Sequence, residues 1–277
     1  MTYREMKALL SPVWGEREAG ALVDYVLWER FGLSKADVLC GMAEQMSSDD
    51  SAEMDMIMSR LVQAEPVQYV LGNAEFCGRR FNVRPGVLIP RPETEELCRM
   101  IKAERDGKTG QRILDIGTGS GCIAVTLSLE MPGNEVSAFD VSREALSVAR
   151  ENASLLGARV EFKKQDILAA EPQSGAWDVI VSNPPYIRES ERKTMNRNVT
   201  EHEPELALFV PDADPLMFYR AICRYAAGSL RSGGMLYFEI NEAFGSETAN
   251  MMRSFGFSDV VIVNDEYGKE RMVKGTF

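Results

Sequence analysis

The segment Asn183-Pro184-Pro185-Tyr186 follows the apolar run Trp177-Asp-Val-Ile-Val-Ser182, which reads as a buried strand. Each proline removes a backbone donor, fixes φ and restrains the residue before it. The result is a stiff, extended loop that presents the Asn183 carboxamide together with carbonyl oxygens. Such a loop is suited to accept hydrogen bonds from a planar N–H₂ group, so it points to chemistry on an amide or amino nitrogen. The single histidine, His202, lies in the polar stretch Thr-Glu-His-Glu-Pro and reads as solvated. The chemistry should therefore not depend on a histidine base.

A second set of residues suggests a nucleoside ligand. Asp115-Ile-Gly117-Thr118-Gly119-Ser120-Gly121 lies between the strand Arg112–Ile116 and a helix from about 120 to 129. Glycines there let the backbone approach a ligand closely. The pattern alone fits dinucleotide, phosphate and adenosyl binders, as well as a plain strand–helix turn. Its spacing departs from Gly-x-Gly-x-x-Gly, which disfavours a pyrophosphate on the helix N-terminus. Asp140 ends the next strand, Glu135–Phe139, where a carboxylate either accepts from two ribose hydroxyls or caps the helix that starts near Ser142. Asp166-Ile167 follows the third strand, Val160–Phe162. Asp166 would take an adenine amino group and Ile167 would cover the ring, or the pair forms a turn. In an open α/β sheet, ligands bind outside the carboxyl ends of the strands. All four strand ends should thus face one crevice.

The elements that must position these residues alternate. From residue 95 to 277, strands and helices follow one another and close on two strands near 257–264 and 270–276, which predicts a doubly wound, mostly parallel sheet with a terminal antiparallel hairpin. Residues 74–94 read as a hairpin linker around Phe76 and Phe81, with Pro92 opening the next helix. Residues 1–73 read as a helical bundle. Within it Ser11-Pro12 looks like a helix start, Ser34–Asp37 like a capping box and Ser47–Ser51 like a polar break, while Met54, Ile57, Met58, Leu61 and Val62 form an apolar stripe. Trp14, Trp28 and Trp177 read as core or partly buried aromatics.

The 277 residues are 45% hydrophobic and 26% charged, with a net charge of −11. That balance opposes binding to nucleic acid through phosphate neutralisation and is compatible with a basic protein partner. No apolar run reaches the roughly 18–20 residues needed to span a bilayer, and the N-terminus has no signal core, so cytoplasmic residence is expected. Cys40, Cys77, Cys98, Cys122 and Cys223 are dispersed, which predicts reduced thiols and no metal site.

The glycine loop with its downstream acidic strand end resembles class I S-adenosylmethionine-dependent methyltransferases, a Rossmann-like fold. The addition of Asn183-Pro-Pro-Tyr186 narrows the resemblance to enzymes that methylate planar nitrogens. Ile89-Pro-Arg-Pro-Glu-Thr-Glu95, Val179–Ile187, Glu203-Pro-Glu-Leu-Ala-Leu208, Asp265–Arg271 and Pro66-Val-Gln-Tyr69 are similar to the HemK/PrmC family over nearly the whole length. The closing tract has Glu266-Tyr267 where that family often has Leu-x. The resemblance implies S-adenosylmethionine as cofactor and S-adenosylhomocysteine as product. It also implies class I peptide chain release factors as partners, methylated on the glutamine N5 of their Gly-Gly-Gln loop, and a helical domain 1–73 that recognises the substrate protein.

By the same resemblance, Gly117 to Gly121, Asp140, Asp166, Ile167 and Asn183 contact the cofactor. Asn183, Pro184, Pro185 and Tyr186 hold the substrate amide: the Asn183 carboxamide oxygen and the Pro184 carbonyl accept its two N–H bonds, and Tyr186 packs on its flat face. Two readings stay open for Arg91, Glu93 and Thr94: a cap over the cofactor's methionine end or the substrate mouth, or an interdomain ion pair with helix capping. Glu203 receives no role. The rival activity is methylation of a nucleobase amino group by the same four residues. The acidic balance and the lack of a basic extension count against it.

Overall fold

Capping fixes the first helices of the chain. In the computed structural model, which describes residues 1–277, Thr2 and Glu5 form a reciprocal capping box at the start of α1 (Tyr3–Trp14). Ser11-Pro12 therefore lies inside α1 instead of opening a helix. Near the end of a helix a proline removes only the bond to Ala8, and Gly15, at φ 77°, then turns the chain into α2 (Glu16–Phe31). The Ser34–Asp37 box opens α3 (Lys35–Leu39) as its sequence predicts. The break read at Ser47–Ser51 is confined to Met46 and Ser47. Ser47 caps α4 (Ser48–Val62), and Asp49 and Asp50 suit the positive end of that helix. A short α5 (Val67–Leu71) follows.

Met6, Leu10, Val23, Val26, Leu27, Met54, Ile57, Met58 and Leu61 form one buried cluster. Trp28 is 58% exposed, more open than its reading as core or partly buried. Helix α2 buries Leu22, Val23, Val26 and Leu27, and this periodicity leaves position 28 on the outer face. His202 is not simply solvated either: its ring nitrogen lies 3.0 Å from the Gln63 carbonyl.

The chain divides into two compact units, residues 1–73 with 195–202, and residues 74–194 with 203–277. The second unit begins at the hairpin of β1 (Asn73–Phe76) and β2 (Arg79–Asn82). Its Phe76 and Phe81 rings meet edge to face at 5.9 Å and are fully buried with Leu97, Ile101 and Ile123. Pro92 opens α6 (Pro92–Glu104), and then come β3 (Arg112–Ile116), α7 (Cys122–Glu130), β4 (Glu135–Asp140), α8 (Arg143–Leu156), β5 (Val160–Lys164) and β6 (Trp177–Ser182). Residues 187–210, which carry no periodic pattern, hold β7 (Ile187–Arg188), α9 (Arg197–Thr200), α10 (Glu205–Leu208) and β8 (Phe209–Val210), with β7 and β8 paired in parallel. The chain closes with α11 (Met217–Ser229), β9 (Leu230–Glu239), α12 (Gly245–Ser254), β10 (Ser258–Asn264) and β11 (Glu270–Thr276).

The main sheet has the order β10-β11-β9-β6-β3-β4-β5. Pairs from β9 through β5 are parallel, and β11 is antiparallel to both β9 and β10. This is the doubly wound, mostly parallel sheet with a terminal antiparallel pair that the alternation predicts. Successive residues of β3 and β6 face opposite cores, as the two-residue period of a strand requires. Ile113, Val179 and Val181 pack with Leu97 and Ile123, while Leu114, Ile116 and Ile180 pack with Tyr219, Ile222 and Met252. Strand order reverses between β3 and β6. That switch point is where a crevice opens beyond the carboxyl ends of the strands. No helix is long and apolar enough to cross a membrane.

Candidate active site

Register brings the ends of β3, β4, β6 and β9 level. Ile116 on β3 pairs with Phe139 on β4 and with Ser182 on β6, and Ser182 pairs with Phe238 on β9. Gly117, Asp140, Asn183 and Glu239 are the next residues of their strands, so they lie along one edge. The buried Ser182 hydroxyl donates to the Ile116 carbonyl at 2.6 Å and ties the two central strand ends together.

Beyond this edge lies a cavity of about 250 Å³. Of the residues predicted from sequence, Gly117, Thr118, Gly119, Ser120, Asp140, Asp166, Ile167, Asn183, Pro184 and Pro185 line it. Gly121 and Tyr186 do not. Gly121 caps α7 at φ 82°, and a Cβ there would meet the Ala149 Cβ at 3.0 Å, so this glycine serves the close approach of α8. Tyr186 is half-buried against the core on the α11 side, and its hydroxyl donates to Glu239 Oε1 at 3.1 Å.

One side of the cavity is built on backbone donors. Gly119 N–H donates to Asp140 Oδ2 at 2.9 Å and Ser142 N–H to Oδ1 at 2.8 Å. The cap of α8 is Ser142, which accepts from Ala145 N–H, so Asp140 is released from capping. Burial raises the Asp140 pKa, opposed by those backbone N–H groups. Asp166 Oδ1 accepts from Leu168 N–H at 2.9 Å, so one oxygen closes a turn while the residue lines the cavity. Beneath the loop, Asp115 is fully buried. Its Oδ2 accepts from the Thr118 hydroxyl at 2.6 Å, and burial pushes its pKa up to about 7.

The opposite side is built on side chains. Asn183 Nδ2 donates to Thr94 Oγ1 at 3.1 Å, and Thr94 Oγ1 donates to Glu239 Oε2 at 2.6 Å. Glu239 is fully buried. Burial raises its pKa, and the Thr94 and Tyr186 hydroxyls and the Arg271 charge oppose that rise. Asn241 Nδ2 donates to the Tyr186 carbonyl at 3.2 Å, which fixes the end of the Asn-Pro-Pro-Tyr loop. The cavity rim beside Pro90 and Pro204 is joined by Glu203, which accepts from the Arg91 guanidinium and from Ile89 N–H.

Sequence reasoning left Arg91 and Thr94 between two roles. The structure makes Arg91 the partner of Glu203 within one unit, not an interdomain pair, and makes Thr94 a link between Asn183 and Glu239, not a helix cap. Glu203 and Glu239 went unassigned. The available signal for Glu239 was an acidic residue inside the apolar strand Met-Leu-Tyr-Phe-Glu-Ile.

Comparison with known proteins gives the family. Residues 5–72 match the PrmC N-terminal domain and residues 93–205 match the methyltransferase small domain. The chain is 45% identical over 265 residues to the release factor glutamine methyltransferase of Bacteroides thetaiotaomicron, covering 95% of each chain. It is 39% identical over 272 residues to that of Flavobacterium psychrophilum, covering 97% of this chain and 95% of the relative. A methyltransferase of known structure from Pyrococcus furiosus superposes with a TM-score of 0.52 at 18% identity, covering 83% of this chain and 98% of the other, a likeness of fold alone. At 45% and 39% identity over 95% or more of its length, the chain belongs to the release factor glutamine methyltransferase family.

Proposed function

We propose that this protein transfers a methyl group from S-adenosylmethionine to the side-chain amide nitrogen, N5, of the glutamine in the Gly-Gly-Gln loop of class I peptide chain release factors. The observation that carries the reading is that one cavity is lined by the glycine loop and Asp140 on one side and by Asn183 and Pro184 on the other.

The lining suits the cofactor. Asp140 and Asp166 offer carboxylates to a ribose diol and an adenine amino group, and Ile167 offers an apolar face for the ring. Ser120, whose hydroxyl is buried, also lines the cavity. The charged lining residues are Arg91, Asp140 and Asp166, a net negative set once Arg91 is paired with Glu203. That favours a cationic ligand. When bound, S-adenosylmethionine supplies a methyl carbon made electrophilic by its sulfonium.

The chain's own contribution is positioning. An amide nitrogen is a poor nucleophile because its lone pair is shared with the carbonyl. The Asn183 carboxamide oxygen and the Pro184 carbonyl accept its two N–H bonds, which orients the nitrogen and stabilises positive charge developing on it. Tyr186, which does not line the cavity, supports the loop from behind with its hydroxyl on Glu239. The proton lost by the alkylated amide passes to solvent, so no base is required. His202 lies in the other unit and is engaged with Gln63.

We assign recognition of the substrate protein to the helical residues 1–73, and the cytoplasm as the place of action. The test is a methylation assay with release factor, DNA and RNA offered side by side. Methyl incorporation into the release factor alone supports the reading; incorporation into nucleic acid alone overturns it.

A further inference from the structure

The hydrogen-bond chain behind Asn183 has a fixed polarity. A carboxylate only accepts, and a hydroxyl has one proton to give. Thr94 commits that proton to Glu239 Oε2 at 2.6 Å, so toward Asn183 its oxygen can only accept. The carboxamide edge facing Thr94 must then be the N–H₂. The oxygen edge is left for the cavity that Asn183 lines. An asparagine without such a chain can turn over and exchange donor for acceptor. Thr94 and Glu239 are 2% and 1% exposed, so water does not compete for these bonds. Glu239 is itself held at both ends: Tyr186 donates to Oε1, and the Tyr219 hydroxyl donates to its backbone carbonyl at 3.1 Å.

We infer that Glu239 is a positioning residue that, through Thr94, locks the Asn183 carboxamide with its oxygen toward the substrate and so makes the site selective for an N–H₂ group over an oxygen acceptor. This rests on the role proposed above for Asn183. The consequence is discrimination between a glutamine amide, which donates two hydrogen bonds, and a glutamate carboxylate of nearly the same shape, which donates none. Mismatched polarity leaves buried groups unpaired, the strongest basis for rejecting an isostere.

Glu239 faces Thr94 and Glu93 from α6, Tyr186 from the loop after β6, Tyr219 from α11 and Arg271 from β11. Protonation of Glu239 would let it donate to Thr94 and reverse the chain. Wild-type kcat at saturating cofactor should therefore fall on the acid side, starting above the ordinary glutamate range, and E239Q should lack that fall.

The experiment compares wild type, Thr94→Val, Thr94→Ser and Glu239→Gln on an intact release factor, alongside cofactor affinity and binding of a release factor carrying glutamate in place of the glutamine. Thr94→Val and Glu239→Gln should lower kcat roughly 10- to 100-fold, the usual loss for an outer partner that orients a contacting group. Cofactor Kd should stay within about 3-fold, the glutamate factor should be rejected less strongly, and Thr94→Ser should recover most of the rate. If Thr94→Val fails to fold, Glu239→Gln decides through its rate and pH profile. An active wild type with unaltered rates in the variants, or variants that lose cofactor affinity in parallel with rate, overturns the inference alone. A wild type that methylates no release factor overturns the functional reading, and the inference with it.

Discussion

Asp140 and Asn183 stand on either side of β3, level with each other at the same sheet edge, yet they are held in opposite ways. Asp140 rests on backbone N–H groups from its own turn and from the adjacent glycine loop. Asn183 rests on side chains from distant segments: Thr94 before the sheet begins and Glu239 near its end. Backbone donors come with any sequence that makes the loop, so Asp140 is held without help from other side chains. The acceptor side depends on particular hydroxyl and carboxylate groups meeting across β6 and β9. On the proposed reading, selectivity for the acceptor nitrogen sits in the side-chain half of the site.

Replacing Asn183 by Ala separates the halves most strongly. Turnover should fall by about 10²- to 10³-fold, the loss seen when one preorganised transition-state partner is removed. Cofactor affinity should change little, as titration calorimetry would show. A parallel loss of both would mean that the two sides are not separable. The rim is the next largest case. Glu203→Ala leaves the Arg91 guanidinium and the buried Ile89 N–H without their partner, and should cost roughly 2–3 kcal/mol in chemical denaturation.

On the cofactor side, Asp140→Ala should weaken S-adenosylmethionine binding by at least about 10-fold, since a hydrogen bond to a charged group is worth roughly 1.5–3 kcal/mol. Turnover at saturating cofactor should survive. Burial raises the Asp140 pKa, so its ionised, accepting form is lost as pH falls through a value above the ordinary aspartate range. Wild-type cofactor affinity should weaken in that window, and Asp140→Asn should show no such dependence. The smallest effect lies outside both halves. Trp14→Phe loses the 2.8 Å bond from the indole N–H to the Leu61 carbonyl, at about 1 kcal/mol of stability, and should leave both Kd and kcat unchanged.

The same contrast explains what was legible in the sequence. The glycine loop, Asp140 and Asn183-Pro-Pro-Tyr186 are contiguous motifs at the ends of apolar runs, so their placement beyond a parallel sheet follows from strand–helix alternation. Thr94 and Glu239 are 145 residues apart and meet only because α6 packs against β9 in the folded chain. No local pattern announces that packing. The misread helix boundaries have a different cause: Ser11-Pro12 is a genuine local signal that the Thr2–Glu5 box outcompetes, and most of the polar stretch Ser47–Ser51 forms the first turn of α4. Trp28 shows the limit of hydrophobicity as a guide to burial, since the face it occupies is settled by its neighbours on α2.

The central claim, that a protein glutamine is the methyl acceptor, is tested most directly by incubating the full chain with S-adenosylmethionine and an intact class I release factor, then mapping the product by mass spectrometry. The account predicts one added methyl group on the glutamine of the Gly-Gly-Gln loop. A release factor that stays unmodified while a nucleobase amino group in added DNA or RNA gains the methyl would contradict it.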